Sequence, residues 1–307
     1  MRWTLAILLT ISLLLLGCAS HETKIRVGIL PIEDALPVVV GVEEGVFKKY
    51  GLEVEVVNFN SALERDAALL AGEVDAVITD PLAIILLRNQ GYDVRITSLC
   101  LGKTPEEGVF AILAAPNSDI WKVEDLEGRQ IAISSNTIIE YVTDMILSKY
   151  GITYEKVEVK QIPTRLRMLL DGKVEAATLP EPLASFAVSK GARLIVSDAM
   201  LDESVTQTVI AFRGEVVDKN KDAIRKLFKA YAEAVKEINS NPEKYRKKFI
   251  EIARVPEEIS ESYKMPKYPE PEKFPEEFYL KYLNWAYRKG LISKEIPYEE
   301  AVYDIGQ

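Results

Sequence analysis

The chain has 307 residues, with 38 Lys+Arg, 47 Asp+Glu, one His and two Cys, and a formal charge of −9. That length suits about two domains, and 48% apolar residues are enough for sizeable cores. The acidic balance argues against a nucleic-acid partner. Two cysteines cannot build a disulfide scaffold or a four-Cys zinc site, and one histidine excludes His-rich metal sites. Any Ser-His or Cys-His mechanism would depend on that single residue.

The chain opens Met1-Arg2-Trp3 and is apolar over 5–16, with Gly17-Cys18-Ala19-Ser20 following. A short basic start, an apolar stretch and small residues at the boundary form a secretory signal, assigned to 1–17. A helix of that apolar length spans roughly 18 Å, short of the ~30 Å hydrocarbon core. Residues 18–23 then read as Cys18 and a polar tether, which removes the lone His21 from any cleft.

Strands are expected at 25–30 and 53–57, with a helix at 37–50 between them, ended by Gly51. Ser61-Ala62-Leu63-Glu64 is a capping box that opens a helix closed by Gly72. Strands follow at 74–78 and 94–101, around a helix at 81–89. Cys100, in the apolar strand at 94–101, is expected to be a buried free thiol. The pattern then restarts. Strands are expected at 109–114, 130–133, 157–159, 176–178 and 194–196, with a helical turn at 123–126. Helices are expected from 137 to 150, over 164–170 and over 183–189. Alternation of this kind predicts an α/β fold with largely parallel sheets. After residue 218 the chain is helical, over 218–240, 242–253 and 276–289. Ile224, Leu227, Phe228, Tyr231 and Val235 form one apolar stripe, and Phe278, Tyr282, Trp285 and Ala286 another; both read as core.

The halves match at a spacing of 100 residues. Leu69-Leu70-Ala71-Gly72-Glu73-Val74-Asp75-Ala76 is echoed by Leu169-Leu170-Asp171-Gly172-Lys173-Val174-Glu175-Ala176, and Gly91 by Gly191. Two equivalent lobes are the expectation.

Several segments resemble periplasmic solute-binding proteins of the type II fold, in the nitrate, sulfonate, taurine and thiamine-precursor branch serving ABC importers. They are Glu44-Gly45-Val46-Phe47-Lys48-Lys49-Tyr50-Gly51-Leu52, the Leu70 to Ala76 unit, Val123-Glu124-Asp125-Leu126-Glu127-Gly128, Glu181-Pro182, Asn241-Pro242-Glu243 and Lys289-Gly290-Leu291-Ile292. Leu15-Leu16-Gly17-Cys18 likewise resembles the lipobox of prokaryotic lipoproteins, which implies lipid on Cys18. The other reading is an ordinary signal with an incidental cysteine. The resemblance implies a two-lobed fold, with 24–112 plus 208–307 as lobe 1 carrying the C-terminal helices and 113–207 as lobe 2. It also implies a monomer in the periplasm or on the outer face of the cell membrane, partnered by ABC permease and ATPase subunits. Two other functions stay open: an enzyme on the same fold, or a ligand-sensing subunit. No P-loop, no G-x-G-x-x-G after a strand and no metal-ligand spacing is present, so no cofactor, nucleotide or metal is expected.

Ligands of α/β sheets sit beyond the carboxyl ends of strands. Strand by strand, that rule selects Pro31, Ile32, Glu33 and Asp34, then Asn60 and Ser61, then Thr79 and Asp80. In the second half it selects Ser134, Ser135, Asn136, Thr137, Thr178 and Glu181. Ser61, Asn136 and Thr137 could equally be simple helix caps. The acids Glu33, Asp34, Asp80 and Glu181 fall on these loops, which carry no Lys or Arg. A nitrogenous solute, such as a pyrimidine or other vitamin precursor, therefore fits better than nitrate, a sulfonate or taurine. Glu33 and Asp34 could alternatively face solvent at the cleft rim, with Glu181 a helix N-terminal charge stabilised by the dipole.

Overall fold

Two five-stranded sheets organise residues 23–306, the part of the chain described by the computed structural model. The signal segment, Cys18 and His21 lie outside the described residues. In chain order the first sheet and its helices begin with β1 (Thr23–Ile29), α1 (Leu36–Glu43), α2 (Val46–Lys49), β2 (Leu52–Asn58), α3 (Ala62–Ala71), β3 (Ala76–Thr79), α4 (Pro81–Asn89) and β4 (Val94–Leu101). The second sheet follows with β5 (Phe110–Ala114), β6 (Gln130–Ile133), α5 (Ile138–Lys149), β7 (Glu155–Glu158), α6 (Ile162–Leu170), β8 (Ala176–Pro180), α7 (Leu183–Ser189) and β9 (Arg193–Ser197). The chain then returns through β10 (Thr208–Arg213), α8 (Gly214–Lys219), α9 (Lys221–Ser240), α10 (Pro242–Ile252), α11 (Glu276–Arg288) and α12 (Tyr298–Ala301).

The strand orders are β2-β1-β3-β10-β4 and β7-β6-β8-β5-β9. In each sheet a single strand runs against the rest: β10 in the first, β5 in the second. The two sheets thus have the same topology, and the repeat seen in the sequence is a repeat of architecture. Parallel pairing of Val27 with Ala76 corresponds to that of Ile131 with Ala176. Gly72 and Gly172, which close the paired helices, have φ of 76° and 65°, a left-handed conformation that glycine adopts without a Cβ clash.

The helix expected over 37–50 is divided. Gly45, at φ 69°, separates α1 from α2. The break turns Val46 and Phe47 into the core, where the Phe47 ring packs against Gly41; a Cβ at Gly41 would lie 2.5 Å from that ring. Burying such a ring contributes roughly 1.5–3 kcal/mol, more than an unbroken helix would gain there. The helix expected over 218–240 is also split, into α8 and α9 around Asn220.

Both C-terminal stripes pack as expected. Ile224, Leu227, Phe228, Tyr231 and Val235 are buried against one face of the first sheet, and Tyr282, Trp285 and Ala286 against the other. Helix α11 also reaches the second lobe. Tyr282 stacks on Tyr141 of α5 at 4.2 Å, and the Trp285 indole N–H donates to Asp144 at 2.9 Å. Among the described residues, no helix is long and apolar enough to cross a membrane.

Candidate functional site

A cavity of about 650 Å3 lies where the carboxyl ends of the two sheets face each other. Elements of both lobes line it, and its walls are built by local rules. Ser61 caps α3 through its hydroxyl, which accepts from the Glu64 N–H at 3.2 Å. Asp80 caps α4 by accepting from the Ala83 N–H at 2.9 Å. Thr137 caps α5 by accepting from the Ile139 N–H. Glu181 accepts from both the N–H and the hydroxyl of Ser185, at 3.0 and 2.9 Å. Each cap satisfies a helix-end donor and presents the same side chain to the cavity.

Ten of the residues selected from sequence line this cavity. From the first lobe they are Ile32, Glu33, Asp34, Asn60, Ser61, Thr79 and Asp80; from the second, Ser134, Thr137 and Glu181. Four do not. Pro31 borders a separate surface pocket. Ser135 gives its N–H and hydroxyl to Glu158. Asn136, at φ 61°, gives its N–H to Glu140. Thr178 is fully buried and shares a hydroxyl contact with Thr143 at 2.7 Å.

Glu33 and Asp34 are not at a solvent-exposed rim, being 6% and 2% exposed. Glu33 accepts from the Tyr263 hydroxyl, and its carbonyl accepts from the Tyr268 hydroxyl at 2.8 Å. Burial pushes the Glu33 carboxyl up to about 8, with the neighbouring Glu181, Asp34 and Asp198 adding to the rise. Burial likewise pushes Asp34 up to about 7, against the opposing pull of the Thr208 hydroxyl and of Arg65. Burial also raises Asp80 and Glu181. Asp34 differs from the others in bonding: neither of its buried carboxylate oxygens makes a well-formed hydrogen bond among the described residues, and the Thr208 hydroxyl beside it is likewise unbonded. Behind it Cys100 is a buried free thiol, 3.2 Å from the Tyr231 hydroxyl.

The selected loops carry no Lys or Arg, but basic side chains reach the cavity from elsewhere. Arg65, Lys160 and Arg165 line it. Lys160 stands on the loop between β7 and α6, and the two arginines stand on helices α3 and α6. They are also repeat partners: Arg65 donates to the Ile78 carbonyl at 3.0 Å and Arg165 to the Thr178 carbonyl at 2.9 Å. The spacing of 100 residues, carried back four positions from Leu69 and Leu169, would have found both. Tyr263 was missed for a different reason, since it reaches Glu33 across 230 residues.

Among the described residues, no group of three or more His, Cys, Asp or Glu could hold a metal ion. The arrangement suits reversible capture: buried acceptors and donors converge on a solute-sized space between two separately folded walls.

The NlpA lipoprotein family model matches residues 25–253. A protein of Brachyspira hyodysenteriae, assigned as an ABC transporter periplasmic binding protein, is 24% identical over 262 residues, or 78% of this chain and 74% of the relative. The D-methionine-binding lipoprotein MetQ of Salmonella typhi is 31% identical over 185 residues, or 56% of this chain and 65% of MetQ. Among solved structures, the periplasmic aliphatic sulphonate binding protein SsuA from Escherichia coli superposes with a TM-score of 0.79 at 18% identity, covering 94% of this chain and all of SsuA. The periplasmic nitrate-binding protein NrtA from Synechocystis gives 0.65 at 16% identity, covering 89% of this chain and 83% of NrtA. At these identities the structural likeness speaks for the fold alone.

Proposed function

The chain belongs to the NlpA lipoprotein family, and on that premise we propose that it is the substrate-binding component of an ABC importer, closing on a small nitrogenous solute such as a pyrimidine or another vitamin precursor. The observation that carries the ligand class is Asp34, a buried carboxylate without a well-formed hydrogen bond on the wall of the interlobe cavity. A buried acceptor left unpaired costs about 1–3 kcal/mol. A ligand N–H or ammonium group removes that cost and forms a charge-assisted bond. The solute meets both walls only when the lobes come together, so its binding favours the closed form. Export and attachment through lipidated Cys18 would hold this receptor beside its permease, while ATP is used by a partner subunit. The relatives named for transport support the receptor reading. D-Methionine, the ligand in MetQ's name, also carries an amine.

The test is mass spectrometry of small molecules released from the denatured full chain, paired with a thermal-shift screen of aminopyrimidines, D-methionine, nitrate and alkanesulfonates. A nitrogenous compound should stabilise the chain, by about 2.7 kcal/mol at a hundredfold excess over Kd. A response confined to nitrate or sulfonates would overturn the nitrogenous assignment.

A further inference from the structure

We infer that the solute carries a basic nitrogen at one end and an acidic group at the other, the nitrogen held by Asp34 of the first lobe and the acid by Lys160 and Arg165 of the second. This deepens the nitrogenous reading above and rests on it. The charges around the cavity sort cleanly once locally satisfied groups are set aside. On the first wall, Arg65 is paired with Asp66 at 2.8 Å and also bonds Thr79. Asp80, Glu33 and Glu107 accept from Ala83, Tyr263 and the N–H groups of Gly102 and Lys103. Asp34 is the one charge left without a well-formed bond, beside the equally unbonded Thr208 hydroxyl.

On the second wall, Glu181 is taken up by Ser185. The cations are left over instead. Lys160 is exposed on the cavity and makes no ion pair among the described residues. Arg165 is fully buried and likewise makes no ion pair there. Its bonds go to the carbonyls of Val159 and Thr178. Three of its five N–H donors are thereby used and two remain. The nearby Glu158 is bonded to Ser135. A buried, unpaired guanidinium is costly unless an anion completes it. Thr137 and the N-terminus of α5 lie on the same wall, adding partial positive charge.

The leftover carboxylate and the leftover cations thus stand on opposite lobes of a cavity of about 650 Å3, roughly 9 Å across if equant. An α-amino acid with an uncharged side chain bears its ammonium and carboxylate on the same carbon, too close together to reach both walls. A solute with its charges at separate ends satisfies both.

The purified full chain, in detergent, can be titrated calorimetrically with 6-aminohexanoate, hexylamine, hexanoate and D-methionine. The expected order puts 6-aminohexanoate first. Lys160→Met should weaken 6-aminohexanoate by about threefold and leave hexylamine unchanged. Asp34→Asn should weaken both amines by about tenfold or more. If hexylamine binds as tightly as 6-aminohexanoate and ignores Lys160→Met, the acidic end is refuted and the nitrogenous reading stands. Tighter binding of D-methionine than of 6-aminohexanoate refutes the separation of the charges. Binding of hexanoate alone, or of no probe at millimolar concentration, counts against both readings.

Discussion

Replacing Asp34 by Asn isolates the energetics of the cavity wall. Asp34 is 2% exposed, and its carboxylate oxygens make no well-formed hydrogen bond among the described residues, the Thr208 hydroxyl beside them included. Burial raises its carboxyl from the ordinary 3.8 to about 7. At 1.36 kcal/mol per tenfold change in proton affinity, keeping this group ionised in the folded, ligand-free chain costs about 4 kcal/mol. The sign follows from proton binding. Between about pH 4 and pH 7 the folded chain holds a proton on Asp34 that the unfolded chain has lost, so stability falls as pH rises through that window. Asp34→Asn abolishes this loss. Ligand-free variant and parent should therefore differ little at pH 4.5, while at pH 8.5 the variant should be the more stable by up to about 4 kcal/mol. Ligand should act oppositely: an amine binds the parent more tightly as pH rises through 7 and binds the variant weakly throughout. Urea unfolding of ligand-stripped chain at the two pH values, with and without solute, measures both effects. A variant no more stable than the parent at pH 8.5 would show that Asp34 already has a partner, and the assignment of the ligand nitrogen to it would fall.

Three further outcomes are expected. Gly102 sits at φ 89° with Thr206 O 2.0 Å from where a Cβ would be, so Gly102→Ala should cost about 3 kcal/mol or more and lower Tm; an unchanged Tm would mean that the segment after β4 shifts freely. Arg165→Met leaves the Val159 and Thr178 carbonyls without their donors, so a loss of about 2–5 kcal/mol is expected, with hydrogen exchange rising in β7 and β8 and not in the first sheet; equal rises in both sheets would refute the local role. Cys18→Ser should move the full chain from the membrane to the soluble fraction, and undiminished membrane retention would refute lipid attachment.

Much of this molecule was legible without coordinates. Period-2 and period-3.6 apolar patterns, glycine stops and capping residues located nearly every strand and helix, because those signals act over a few residues. The stripe from Ile224 to Val235 read as core and is core. The 100-residue repeat implied two like lobes, and the strand-end rule placed ten residues on the cavity. Tertiary packing decided the rest. Gly45 breaks a helix so that Phe47 can pack against Gly41, a contact between two helices and not a local preference. Thr178 and Asn136 stand at the right strand ends, but the Thr178 hydroxyl goes to Thr143 and the Asn136 N–H to Glu140. Which charges remain unpaired was decided latest of all. Asp34 and Arg165 differ from Glu33 and Arg65 in who stands beside them: Tyr263, 230 residues away, satisfies Glu33, while the adjacent Asp66 folds back onto Arg65. Sequence alone determined the scaffold, the repeat and the loops that face the cleft, since each follows from short-range chemistry. Folding decided which of those loops' charges are left for a ligand, since desolvation and pairing exist only once both lobes are packed.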